Sequence, residues 1–162
     1  MRPERSAARS ARAGVLGLGL AIAVASPGAL AAVDDPILAG AGICGTLENP
    51  FGPFDYRTSP PDRRSLVERF HFTSKVEQLK SGESGPLGAD LNYTLQVFPN
   101  HPRALYSVSR YSIRNKTQRL PGARYPAECY FDRAIRFTPQ DPQVRALYAD
   151  FLIKWQRPED AR

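Results

Sequence analysis

The chain has 162 residues, a formal charge of +6, and 42% hydrophobic residues, with two cysteines and one tryptophan. Four arginines and one glutamate within residues 1–31 carry +3 of that charge and leave +3 on the rest. So mild an excess, without arginine-rich runs, argues against a nucleic-acid partner. The chain beyond residue 31 suits one small domain with one modest core.

Residues 1–31 read as a secretory signal. Arg2, Arg5, Arg9 and Arg12 form a basic start, Gly14 to Ala25 an apolar stretch, and Ala29-Leu30-Ala31 a small-residue cleavage site. The apolar stretch is shorter than the roughly 20 residues a spanning helix needs, and Pro27 closes it. The expected address is therefore the periplasm or cell exterior, with no stable membrane insertion after cleavage. Ile43 stands before Cys44 where a lipid-anchor site needs a small residue.

Residues 32–61 form a proline-rich strap without helical or strand period. Proline fixes φ and removes a donor, so the strap should run extended over a surface. Phe51, Phe54 and Tyr56 are costly to leave in water and should dock, either on the chain's own helices or on another subunit. Residues 62–162 are expected to be helical. Asp62 to Gly82 holds one or two short pieces, with Ser74 and Glu77 at capping-box spacing and Gly82 as a left-handed stop. Longer helices are predicted over Leu87–Phe98, Pro102–Arg114, Tyr125–Phe137 and Pro142–Trp155. Proline is expected at the first helical position of three of them, Pro102, Pro126 and Pro142, and His101 and Asp141 stand where N-caps belong.

A phrase recurs 40 residues apart: Phe98-Pro99-Asn100-His101-Pro102 and Thr138-Pro139-Gln140-Asp141-Pro142. The echo extends into both flanks. Leu91, Thr94 and Leu95 fall on Phe131, Ala134 and Ile135, and Val108, Ser109 and Tyr111 on Tyr148, Ala149 and Phe151. Self-similarity at such a period marks a helical repeat. The predicted fold class is all-α, an antiparallel array of helix pairs behind an extended strap.

These corners and their flanks, over about residues 86–162, resemble the tetratricopeptide repeat, in which helices A and B cross at small residues and proline ends helix B. Ala127, Phe131, Ala134 and Pro139 fall on the signature positions of one helix B, and Tyr148-Ala149 on the leucine–glycine pair of the next helix A. The period is longer than the usual 34, an excess assigned to a loop around Arg119 to Arg124, and the signature tryptophan is missing. Cys44-Gly45 and Gly52-Pro53-Phe54-Asp55-Tyr56 look like the opening of short secreted bacterial repeat proteins. The resemblance implies a non-enzymatic protein-interaction module and supplies no activity. It further implies that Arg103, Tyr106, Arg110 and Arg114 project from one helix A into a concave groove, facing Gln143, Asp150 and Lys154 of the last helix. Three arginines beside a tyrosine suit a carboxylate or an anionic glycan, so a glycan-binding envelope protein is a remote alternative. The lysine–asparagine carboxylate clamp of some family members is absent.

A repeat array also leaves apolar ends. Tyr148, Phe151 and Trp155 of the last helix need a cover, which the aromatic strap, a protein or peptide partner, or another copy of the chain would supply. The last option would build an extracellular fibre. Cys44 and Cys129 form a candidate disulfide in an exported chain, within or between chains, with a reactive thiol as the weaker reading. No cofactor or metal is expected, since two sulfurs alone do not make a zinc site. Gly40-Ala41-Gly42-Ile43-Cys44-Gly45 matches a nucleotide-binding string but lacks the strand before and the helix after that the chemistry needs. Ser84 lacks the last glycine of a nucleophile elbow, and no nucleophile–base set is evident, so no enzyme activity is expected. Asn92 and Asn115 lie in glycosylation triplets, the first inside a helix and the second in a predicted loop.

Overall fold

The computed structural model describes residues 41–161, so the predicted signal and the first part of the strap lie outside the described residues. The described residues form seven α-helices: α1 (Ala41–Cys44), α2 (Pro61–His71), α3 (Ser74–Glu77), α4 (Leu87–Val97), α5 (Pro102–Asn115), α6 (Ala127–Phe137) and α7 (Pro142–Lys154). A 3-10 turn at Pro158–Ala161 comes after them, and the only β pairing among the described residues is an isolated bridge between Asn49 and Gly52. The described residues are all-α, as the periodicity predicts.

The starts of the helices obey local chemistry. His101 Nδ1 accepts from the Ala104 amide at 3.3 Å, and Asp141 Oδ1 accepts from Gln143 and Val144 at 3.0 and 3.3 Å. Each thus satisfies amides that the first turn leaves without partners. The predicted capping box does not form. Thr73, not Ser74, is the N-cap of α3, and the Glu77 carboxylate turns instead to Arg103. Nor is Gly82 the left-handed stop, because Leu79 adopts φ 60° directly after the α3 cap. Asn115 ends α5, with its amide on the Tyr111 carbonyl at 2.8 Å, and so does not lie in a loop.

From α4 onward each helix packs on the next, and α5 also packs on α7. The core is the set of apolar side chains these crossings bury: Leu91 and Leu95 of α4, Leu105 and Val108 of α5, Phe131 and Ala134 of α6, Phe151 and Leu152 of α7. Phe131 lies 5.4 Å from Tyr148 and 5.0 Å from Phe151 between ring centroids. The long loop between α5 and α6 docks on the first turn of α4, where the Gly88 amide donates to the Pro121 carbonyl at 2.9 Å. A Cβ on Gly88 would stand 2.6 Å from that oxygen, so the approach requires glycine.

The strap is held along its length. Cys44 is bonded to Cys129 of α6, an intramolecular bridge across 85 residues. Asn49 Nδ2 donates to the Gln96 carbonyl at 3.0 Å, and the Phe54 amide to the Val97 carbonyl at 2.8 Å. Phe54 and Tyr56 pack against a second cluster of Val67, Val97 and Phe98. Phe51 departs from expectation, remaining 57% exposed beside Tyr93. The strap's position is also a correction. It covers the end of α4 and the side of α2, where free backbone carbonyls and an apolar cleft await it, rather than the last helix. α7 is instead flanked by the 3-10 turn, which Arg157 ties back to Glu128 of α6 at 2.8 Å. Trp155 packs on Phe151 at 6.1 Å.

Closing so long a loop removes much freedom from the unfolded chain. Cys44→Ser is expected to lower unfolding free energy by about 2–5 kcal/mol. Urea titration under oxidising conditions checks this, with limited proteolysis cutting first in residues 45–60.

Candidate functional site

α5 carries Arg103, Tyr106, Arg110 and Arg114 at spacings of three or four, and the structure divides them. Arg103 forms a two-pronged pair with Glu77, Nε to Oε1 at 2.8 Å and Nη2 to Oε2 at 2.5 Å, and lies 5.3 Å above the Phe72 ring. The pairing raises the Arg103 pKa and holds the Glu77 carboxyl below its usual range. Arg103 is therefore committed to fixing α3 on α5, and its charge is not available to a ligand. Tyr106 is exposed, with the Arg110 guanidinium 5.4 Å over its ring. Arg110 donates from Nη2 to the Glu77 carbonyl at 2.6 Å while its Nε is buried without a partner.

Arg110 and Arg114 line a groove of about 390 Å³ with Gln78, Leu79, Ser109, Ile113 and Lys154. A second hollow of about 380 Å³ shares Ile113 and Lys154 and adds Lys116, Trp155 and Gln156. Together they run along the α5–α7 seam. Their floor is apolar and their walls carry Arg110, Arg114, Lys116 and Lys154, with no carboxylate in either lining. Asp150 holds Lys154 at 2.7 Å, and the Glu77 carboxylate lies near enough to be influenced by Arg110.

Three non-glycine residues among those described have positive φ: Leu79 at 60°, Lys116 at 48° and Gln156 at 61°. They come just after the ends of α3, α5 and α7 respectively, and all three line the groove. Left-handed helix ends normally use glycine, because a Cβ there costs roughly 1 kcal/mol. Strain of this kind clusters at functional surfaces. Sequence reasoning reached Arg110, Arg114 and Lys154 through the family resemblance, with helical spacing putting the two arginines on one face. It missed Leu79, Lys116 and Gln156, since non-glycine left-handed ends carry no compositional mark.

Tyr148 and Phe151, predicted as strap or assembly contacts, are core residues of α7, and the Tyr148 hydroxyl donates to Glu128 at 2.9 Å. The predicted strap contacts Phe54 and Tyr56 meet a polar cluster beneath the strap. There the Tyr56 hydroxyl donates to Glu68 at 2.7 Å and its ring lies 4.1 Å from His101. His101 is fully buried, its Nε2 3.3 Å from Glu68 Oε1. Because Nδ1 accepts the cap bond, the proton sits on Nε2. Burial outweighs the Glu68 charge and pushes the His101 pKa down to about 4. Apart from His101 Nε2, which is buried without a hydrogen-bond partner, the groups here are spent on holding the strap. No group of three or more His, Cys, Asp or Glu side chains suited to a metal ion occurs among the described residues. No described helix is long and apolar enough to cross a membrane.

Comparison of the chain with protein-family models, with curated proteins and with solved structures finds no match.

Two outcomes are expected. Lys116→Gly relieves the left-handed end and raises unfolding free energy by about 0.5–1 kcal/mol, measured by thermal and urea denaturation. The second concerns pH. His101 is depressed in the folded state, so its contribution is complete above the ordinary pKa of 6.5 and is lost as pH falls toward 4. Between pH 7.5 and 4.5 the loss should be about 2–3 kcal/mol. His101→Asn, which keeps an N-cap, should flatten that slope. An equal slope in the variant would assign it to other groups.

Proposed function

We propose that this protein is a non-enzymatic binding module that takes a protein or peptide partner in the α5–α7 groove. The observation that carries the reading is the convergence of three strained helix ends and four cations on one apolar-floored groove. Such a surface suits an extended segment with acidic side chains flanking an apolar one. Cations on the rim speed encounter, and the apolar floor supplies the affinity. Exchange of Arg103 for Lys154 and Lys116 refines the set of binding residues expected from spacing.

The array is read as tetratricopeptide-like, with α4 and α6 as B helices and α5 and α7 as A helices. Support comes from the α5–α7 contact, from the buried Ala134 at a crossing, and from Phe131 against Tyr148. The disulfide fits an oxidising compartment outside the cytoplasm, in keeping with the signal over residues 1–31.

Self-assembly is the second reading, and its own observation favours it. A hollow of about 440 Å³ lined by Ile135, Arg145, Ala146, Tyr148, Ala149, Asp160 and Ala161 opens on α6 and α7. On α2, which packs against α4, Leu66 and Phe70 are 60% and 55% exposed one helical turn apart. Insertion of one into the other would be a head-to-tail contact.

Selection from a displayed random-peptide library should enrich acidic–apolar sequences on the intact protein, and Arg110→Glu with Arg114→Glu should remove that enrichment while leaving helicity unchanged. Enrichment retained by the double variant would exclude the groove. Sedimentation velocity across a concentration series tests assembly. Higher-mass species that vanish in Leu66→Glu favour the fibre, and a concentration-independent monomer excludes it.

A further inference from the structure

Arg133 of α6 is a cation only 2% exposed. It donates from Nη1 to the Cys44 carbonyl at 3.0 Å and to the Thr46 carbonyl at 2.6 Å. Its Nε is buried without a partner. The Tyr125 ring lies 4.7 Å beneath the guanidinium. No carboxylate pairs with Arg133 among the described residues. Asp132, the acid beside it in sequence, is taken by Arg136 at 2.8 Å, and Arg136 also donates to the Gly45 carbonyl at 3.0 Å. A buried charge without a counter-ion is costly, and two carbonyls with a ring face compensate it only in part.

Arg133 lines a small, partly open pocket of about 80 Å³ with Gly45, Thr46, Glu48, Asn49, Gln96, Arg124 and Tyr125. The edge of a guanidinium formed by Nε and Nη2 carries two parallel N–H groups, the fork that matches a carboxylate or phosphate. In Arg133 that edge is the one without a hydrogen-bond partner. Arg124 adds a second cation, 5.3 Å over the Tyr125 ring and exposed. Glu48, also exposed, is the one acid in the lining. Asn49 is saturated, its amide spent on the Leu47 and Gln96 carbonyls and its oxygen on the Phe51 amide. The space admits a group of a few heavy atoms and no more.

We propose that this pocket is a small-oxyanion site, in which a carboxylate or inorganic phosphate takes the Nε/Nη2 edge of Arg133 and the guanidinium of Arg124. It lies where the strap meets α6 and does not depend on the α5–α7 groove. The bound anion would complete the charge that holds residues 44–46 on the helix, so occupancy should also stabilise the strap.

The test is a nitrogen–proton NMR titration of the arginine Nε–H signals at pH 7, adding sodium acetate or sodium phosphate at ionic strength held constant with sodium chloride. The Arg133 Nε–H should shift saturably, while that of Arg103, already spent on Glu77, stays in place. Arg124→Ala, at an exposed position, should weaken the apparent affinity about two- to fivefold. Gln96→Glu places a tethered carboxylate in the lining, and should raise the melting temperature and abolish the response to added anion. A stronger response to acetate identifies a carboxylate as the ligand, and a stronger response to phosphate identifies the free ion; either sustains the site. Absence of a saturable shift with both anions overturns it, as does a response unchanged in both variants.

Discussion

Asn100 holds the strap and both repeated corners in one hydrogen-bonded unit, and the arrangement of the helices rests on it. Its Nδ2 donates to Asp55 of the strap at 2.8 Å and to Asp141 of the second corner at 3.2 Å, while its Oδ1 accepts from the Tyr56 amide at 3.0 Å. Asp141 in turn caps α7 and meets Arg57 at 3.3 Å. The Asp55 carboxyl is held far below its usual range, chiefly by Arg57. A buried amide with every donor and acceptor used specifies one geometry, because any shift leaves a polar group dry and unpaired. The repeat is thus more than two copies of a phrase, since the first corner carries the residue that binds it to the second.

The division of labour among the arginines obeys the same logic. Arg103 has a carboxylate within reach and becomes a structural brace. Arg157 does likewise through Glu128, fastening the last turn to α6. Arg110 is held by the Glu77 carbonyl, Arg114 has no acid paired with it among the described residues, and Arg133 is buried among carbonyls and a ring. Equal residue types at similar helical positions therefore differ in what they can bind. The difference lies in whether a neighbouring element supplies the opposite charge.

The strap changes what a short row of helices needs. Helices packed in a row bury apolar surface only against neighbours, so a short row is short of burial. Here the disulfide, the strap aromatics Phe54 and Tyr56, and the 3-10 turn supply cover at the flanks. The α5–α7 seam is left open, and that opening is what makes it a candidate surface for a partner.

Much was legible in the sequence because it is local. Helical spacing, proline at first positions and the caps at His101 and Asp141 act within a few residues, and they placed four long helices nearly to their ends. The cysteine pair was legible because two thiols in a chain that opens with a signal-like segment have few alternatives. What the strap covers was not legible, since an extended segment binds wherever open carbonyls and an apolar cleft coincide, and only the packing of α2 on α4 creates that place. The same holds for the site residues. Spacing put Arg103, Arg110 and Arg114 on one face, but Glu77 arrives beside Arg103 only because α3 packs on α5. Leu79, Lys116 and Gln156 became a set only when three separate helix ends met along one seam. Sequence determined the elements and their faces; tertiary structure decided which charges were neutralised, because pairing is settled by distance in space and not along the chain.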